Sequence, residues 1–118
     1  MTSSPAVVLE SGIVEIGTTF ESRPAAVACA ERLVAGRLAA CVQVDGPLAS
    51  TYRWRSAVET AEEWRCTCKT TRGRRDACIE AIIATHPYET PQVTVAPVDA
   101  TAAYAAWVRA SVEGPWPA

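Results

Sequence analysis

The hydrophobic positions along this chain follow two different periods, one of two residues and one of about 3.6. Apolar and polar residues alternate in segments rich in β-branched side chains, which is typical of half-buried strands. Four segments have this pattern: 13–20, 38–54 with a bend at Asp45-Gly46-Pro47, 63–71 and 92–98. A predicted turn at 56–60 separates the second and third segments, so we expect these two to form one long β-hairpin arm.

Three other segments place apolar residues three and four positions apart, which is the spacing of one helix face. The first begins after Ser22, a suitable N-cap residue, and has Pro24 in its first turn. It ends at Gly36. The other two predicted helices cover about 72–85 and 101–112.

The predicted order is strand, helix, strand, strand, helix, strand, helix. This order is typical of the α+β, ferredoxin-like fold (split βαβ), with an antiparallel four-stranded sheet and here an added C-terminal helix. Right-handed crossovers put the two main helices on one face of the sheet. We expect the other face to have no cover from this chain and to be buried by oligomerisation. The domain would cover residues 12–113, between a flexible N-terminus at 1–11 and a tail at 114–118.

The composition indicates one soluble globular domain. Apolar residues make up 49% of the 118 residues and charged residues 20%, with a net charge of −2. No basic face predicts nucleic-acid binding, no apolar run is long enough to predict a membrane span, and the first residues lack signal-peptide features. An odd number of cysteines without zinc-site spacing favours a reducing compartment and thus a cytoplasmic protein. The cysteines are Cys29, Cys41, Cys66, Cys68 and Cys78.

Motifs of enzymes are missing from the sequence. It contains no nucleophile elbow, no phosphate-binding glycine loop and no H-E-x-x-H motif, so we expect a binding protein and not an enzyme. A nucleophile pair of Cys41 and His86 is the remaining enzyme hypothesis, because such residues need to be adjacent only in space.

Two runs at the predicted sheet and arm have two interpretations each. If Val42 and Val44 pack on the helices, Cys41 points to the uncovered face, either as a buried subunit contact or as a reactive or ligating thiol.

The run 52–54 at the arm tip combines aromatic rings with an arginine. It either anchors the arm on a neighbouring subunit or contributes to a ligand cleft. The residues involved are Tyr52 and Trp54, with Glu59 and Glu63 on the return strand.

A third run, 86–91, carries the single histidine of the chain. Two prolines fix the backbone on either side of Tyr88 and Glu89, so their side chains are presented rigidly. A histidine, a phenol and a carboxylate held in this way suit a ligand pocket. They equally suit a tightly packed connection between a helix and a strand.

Several of these runs resemble the CutA divalent-cation-tolerance family. They are RLAACVQV at 37–44, YRW at 52–54, KTTR at 69–72, HPYETPQV at 86–93 and YAAWVRASV at 104–112. The resemblance covers residues 13–112 and implies a homotrimer related in architecture to the PII signalling proteins. It places Lys69 with Tyr52, Trp54, Glu59, Glu63 and Tyr88 among residues of an inter-subunit cleft or interface.

The resemblance also implies a link to copper or another divalent cation. Bacterial members with a proposed copper site carry a cysteine and a pair of histidines, and here Gly17 and Thr85 stand at two of those positions. His86, Cys41 and Glu89 remain as the predicted metal ligands. The implied function is cation tolerance through metal or small-ligand binding in clefts between subunits. The alternative is a PII-like signalling or interaction module without a metal function.

Overall fold

The computed structural model describes residues 7–114. It has four strands and three α-helices, with a 3₁₀ turn over Arg72–Arg74. The elements are β1 (Leu9–Phe20), α1 (Arg23–Ala35), β2 (Cys41–Trp54), β3 (Ala57–Thr71), α2 (Arg75–Thr85), β4 (Thr94–Thr101) and α3 (Ala102–Val112). None of these helices is both long and apolar enough to cross a membrane. The predicted element order is confirmed.

All neighbouring strands pair antiparallel, in the sheet order β2-β3-β1-β4. This is the strand order of the split-βαβ arrangement, so the predicted ferredoxin-like fold class is confirmed. Strand β4 lies at an edge of the sheet. Its Pro97, which has no N–H to donate, is therefore tolerated there.

Local sequence explains the two ends of α1. The Ser22 hydroxyl accepts a hydrogen bond from the Ala25 N–H at 3.2 Å, and Pro24 occupies the first turn. At the other end the Gly36 N–H donates to the Arg32 carbonyl. The predicted cap, first-turn proline and helix end are all confirmed.

The main core lies between the sheet and the two helices α1 and α2. Alternate residues of β1 and β3 point into it, and the helices contribute one face each. Its buried residues are Val14, Ile16, Phe20, Ala26, Cys29, Leu33, Ala39, Cys66, Cys68, Cys78 and Ile82. Val34 of α1 and Ile83 of α2 lie outside this face, with 42% and 54% of their surface exposed.

The opposite face of the sheet is partly covered by α3, so the predicted bare face is wrong. Ile13 of β1 packs there against Ala105 and Val108 of the helix. The Arg74 Nε donates to the Val112 carbonyl at 3.0 Å and secures the end of α3. The chain can cover this end because α3 follows the edge strand β4 directly and folds back over the sheet.

Several predicted boundaries differ from the structure, including the starts of β2 at Cys41, β3 at Ala57 and α2 at Arg75, which were predicted at 38, 63 and 72. Strand β1 begins at Leu9 and not at 13, because Leu9 and Glu10 pair with β4 beyond a bulge. The predicted flexible terminus at 1–11 therefore overlaps a strand, and its residues 1–6 lie outside the described chain. Strand β4 covers Thr94–Thr101 and not 92–98. The arm turns at Arg55 and Ser56, earlier and more tightly than the predicted turn over 56–60.

The arm is the part of β2 and β3 that extends past the end of β1. Pairing between β1 and β3 stops at Trp64, so residues 48–63 form a two-stranded ribbon. The register of β2 shifts between Asp45 and Leu48, as the predicted bend requires. Gly46 makes this shift possible, since a Cβ there would lie 2.7 Å from Cδ1 of Trp64.

Candidate ligand cleft

One face of the arm carries most of the predicted binding residues. Tyr52 pairs with Glu59 and Ser50 pairs with Ala61, and directly paired residues of antiparallel strands point to the same side. Trp54 is in phase with Tyr52 on this side. The side is the one opposite α1 and α2, because Trp64 packs on the main core and its neighbour Glu63 must point away from it.

The segment that follows α2 forms the facing wall. Tyr88 to Gln92 runs beside this side of the arm, and the two walls enclose a cleft of about 770 Å³. We call it the arm cleft. It is lined by Thr19, Ser50, Thr51, Tyr52, Trp54, Glu59, Ala61, Glu63, Tyr88, Glu89, Thr90, Pro91 and Gln92.

A hydrogen bond joins the two walls at the inner end of the arm cleft. The Tyr88 hydroxyl donates to Oε2 of Glu63 at 3.0 Å. Burial raises the pKa of the Tyr88 phenol, and the carboxylates of Glu63 and Glu21 raise it further. Tyr88 is therefore held as a neutral donor, and the potential around it is negative.

His86 supports this wall from behind. Its Nε2–H donates to the Thr19 carbonyl at 2.8 Å, and its Nδ1 accepts a hydrogen bond from the Tyr88 N–H at 3.1 Å. A carbonyl can only accept and an N–H can only donate, so these partners assign the neutral tautomer with hydrogen on Nε2. The ring also stacks on Phe20. His86 thus positions the backbone of Tyr88 relative to β1.

The predicted metal ligands do not meet within one chain. Both ring nitrogens of His86 already have protein partners. Cys41 pairs with Lys69, and Lys69 pairs with Glu15 of β1. Glu15 is four strand residues, or about 13 Å, from Thr19, which is the hydrogen-bond partner of His86. Glu89 lies in the arm cleft instead, 3.9 Å from the Arg55 guanidinium.

The donor atoms of a single chain therefore do not fit a transition-metal centre. In residues 7–114, no group of three or more His, Cys, Asp or Glu side chains is arranged to hold a metal ion. Copper binds tightly where imidazole or thiolate ligands converge, and the single imidazole here is fully used in hydrogen bonds.

Lys69 and Cys41 lie on the same sheet face as the arm cleft but outside it. The Lys69 ammonium donates to Oε1 of Gln43 at 2.9 Å and lies 3.6 Å from the Glu15 carboxylate. Cys41 is half-buried, and its neighbour Val42 packs on the main core, so Cys41 points to this opposite face as the alternation predicted. These residues occupy the stretch between α3 and the arm cleft.

Sequence reasoning missed the smaller residues of the arm cleft. Ser50 and Ala61 are in phase with Tyr52 and Glu59, so the strand period could have found them once the register was known. No pattern in the sequence marks Thr19 as a cleft residue, because its place in the arm cleft depends on where β1 ends. The remaining missed residues are Thr51, Thr90, Pro91 and Gln92.

The fold defines a ferredoxin-like protein with a long hairpin arm, and the arm forms one wall of the arm cleft. Residues 14–111 match the family "CutA1 divalent ion tolerance protein", and the chain belongs to this family. A relative from Thermus thermophilus, "Divalent-cation tolerance protein CutA", is 35% identical over 92 residues, which are 77% of this chain and 89% of the relative.

Solved structures of related proteins have the same fold. CutA from Xylella fastidiosa superimposes with a TM-score of 0.85 at 32% identity, over 87% of this chain and all of its own. CutA from Synechococcus elongatus, solved in complex with a Bis-Tris molecule, has a TM-score of 0.82 at 31% identity, over 90% of this chain and 99% of its own. A relative from Archaeoglobus fulgidus, at 28% identity and a TM-score of 0.82 over 86% of this chain and 99% of its own, is described as periplasmic.

Proposed function

We propose that this divalent-cation-tolerance protein acts as a homotrimeric binding protein, and that it holds a small organic molecule in the arm cleft. The observation that carries the proposal is the arm cleft itself. It has a volume of about 770 Å³, aromatic side chains on both walls and several convergent polar side chains, which are the usual properties of a small-molecule site. The Synechococcus relative in complex with Bis-Tris supports this interpretation.

Assembly into a trimer is supported by the exposed arm. A two-stranded ribbon is marginally stable in water, and Tyr52 and Trp54 each have 41% of their surface exposed on it. The sheet face between α3 and the arm cleft also has no cover from the described chain. In the proposed trimer a neighbouring subunit packs on these surfaces and closes the arm cleft, while the number of three follows from the family resemblance.

The proposed ligand is not a bare metal ion. A copper ion or another divalent cation would need donors from more than one subunit, because one chain groups too few of them. We further propose that the protein binds without catalysing a reaction and is cytoplasmic. The free, buried cysteines support a reducing location.

A PII-like interaction module is the second candidate, and the surface of α3 favours it. Tyr104 and Trp107 lie side by side there, with ring centroids 5.6 Å apart and exposed fractions of 39% and 49%. Aromatic residues exposed in this way are typical of protein contacts. In this case partner binding would depend on α3, and filling the arm cleft would have no effect on it.

A steric block tests the first proposal. Ala61→Leu should fill the arm cleft, whereas Ala49→Leu adds the same atoms to the other side of the arm. By isothermal calorimetry, Bis-Tris should bind the wild type and Ala49→Leu with saturable stoichiometry and should not bind Ala61→Leu. Equal binding by the two variants, or no saturable binding to the wild type, would contradict the proposal. Sedimentation equilibrium should give a trimer, and a monomer at micromolar concentration would remove the assembly.

A further inference from the structure

We infer that the arm cleft selects a positively charged ligand, an organic ammonium that carries hydroxyl groups. The inference rests on the proposed function and adds the chemical class of the ligand. Three properties of the arm cleft carry it: the sign of its charge, the faces of its aromatic rings and the polar side chains between them.

All ionisable residues of the arm cleft are acidic or phenolic. Glu59, Glu63 and Glu89 line it, and its described lining contains no lysine, arginine or histidine. One carboxylate oxygen of Glu63 accepts a hydrogen bond from the Tyr88 hydroxyl. Neither Glu59 nor Glu63 has a cationic side chain within ion-pair distance in the described chain. The arm cleft thus has negative charge that a ligand can neutralise.

The chain's own Arg55 shows what this surface attracts. Its guanidinium carbon lies 5.4 Å from the centroid of the Trp54 ring, and its Nη2 lies 3.9 Å from the Glu89 carboxylate. An aromatic face and a carboxylate together form the usual environment of a bound organic cation. The side chain of Arg55 is 76% exposed, so it holds this place loosely and a ligand can displace it.

The arm cleft suits an organic cation better than a metal ion. Its carboxylates are spread along the two walls, and no three of them are grouped as metal ligands. Hydroxyl and amide side chains stand between them and can both donate and accept hydrogen bonds. They belong to Thr19, Ser50, Thr90 and Gln92.

Two probes of nearly equal size separate charge from shape. Tris at neutral pH carries an ammonium and three hydroxymethyl groups, and pentaerythritol replaces the ammonium with a fourth hydroxymethyl group. Calorimetry in phosphate buffer of constant ionic strength should show that Tris binds about tenfold more tightly than pentaerythritol. Equal affinities would overturn the inference but leave the proposed function standing, provided that Ala61→Leu still blocks Bis-Tris. Undetectable binding of Tris to a protein that binds Bis-Tris would also overturn it.

Charge-neutral substitutions locate the effect. Glu59→Gln and Glu63→Gln should each weaken Tris binding by roughly threefold, while Glu62→Gln, on the other side of the arm, should leave it unchanged. Arg55→Asn should strengthen Tris binding, because it frees Trp54 and Glu89, and asparagine tolerates the left-handed backbone of this position. Equal losses in Glu62→Gln and Glu59→Gln, or weaker binding by Arg55→Asn, would show that the arm cleft does not select a cation.

Discussion

The imidazole of His86 lies almost parallel to the phenyl ring of Phe20, with 4.4 Å between ring centroids and 15° between their planes. Phe20 is 1% exposed and belongs to the main core. The histidine that the sequence suggested as a metal ligand is therefore packed on the core and hydrogen-bonded at both ring nitrogens.

Removal of this ring should affect stability and not metal binding. His86→Ala loses two hydrogen bonds and a ring contact, so the free energy of unfolding should fall by about 2–4 kcal/mol. Its Cu²⁺ affinity should equal that of the wild type. Urea unfolding and a Cu²⁺ titration measure the two quantities. A stable variant that has lost Cu²⁺ binding would restore His86 as a ligand.

A buried hydroxyl without a partner predicts a stabilising substitution. Thr18 is fully buried, and its Oγ1 has no hydrogen-bond partner among residues 7–114. Valine has the same shape without the hydroxyl, so Thr18→Val should raise the free energy of unfolding by about 1–2 kcal/mol.

Thr70 provides the matched control on the neighbouring strand β3. It is buried to the same extent, but its hydroxyl donates to the Leu38 carbonyl at 2.7 Å. Thr70→Val should therefore lower the free energy of unfolding. Thermal and urea unfolding of the two variants should give opposite signs, and a loss of stability in Thr18→Val would mean that its hydroxyl is satisfied.

The turn of the arm predicts a second stabilising change. Ser56 has a φ of 70°, in the left-handed region that costs a side-chain-bearing residue more than glycine. Ser56→Gly should raise the free energy of unfolding by about 0.5–1 kcal/mol. Ser50→Gly, in the extended part of the arm, should lower it by a similar amount. Stabilisation in both or in neither would show that the turn backbone is not the cause.

Tyr88 should stay protonated at the alkaline pH at which ordinary tyrosines ionise. Burial and the Glu63 carboxylate hold the pKa of its phenol above the ordinary value of about 10. Its neutral form therefore contributes stability that is complete below pH 10 and is lost as the pH rises through the higher folded value. Because Tyr88 does not ionise near pH 10, the increase in tyrosinate absorbance there should be the same in the wild type and in Tyr88→Phe. A smaller step in the native variant would show that Tyr88 ionises normally.

The order of elements could be predicted from the sequence because each element has its own local signal. Ser22, Pro24 and Gly36 set the limits of α1, and Asp45-Gly46-Pro47 marks the bend of β2. The start of β1 could not be predicted, because Leu9 belongs to the strand only by its pairing with Thr101, about ninety residues further along the chain. Nor could the turn, since Arg55 and Ser56 lack the Asn-Gly signal of a two-residue hairpin.

The arm cleft was predicted in part for a similar reason. Tyr52, Trp54, Glu59, Glu63 and Tyr88 stand out by residue type, and the structure brings all five together. The predicted ligands His86, Cys41 and Glu89 do not meet within one chain, because no local signal shows which sheet face a residue occupies or whether a histidine nitrogen already has a hydrogen-bond partner. Those properties depend on strand register and on packing against β1.

The five thiols of the chain differ sharply in their access to solvent. Cys29, Cys66, Cys68 and Cys78 are at most 1% exposed, and hydrogen bonds to Cys29 and Cys78, together with burial, raise the pKa of the Cys66 and Cys68 thiols. Cys41 alone is half-buried, on the sheet face that a neighbouring subunit would cover. A maleimide dye would therefore attach to one position in a separated folded chain. In the proposed trimer a neighbouring subunit would cover this thiol, so the extent of labelling would measure the fraction of subunits outside the assembly.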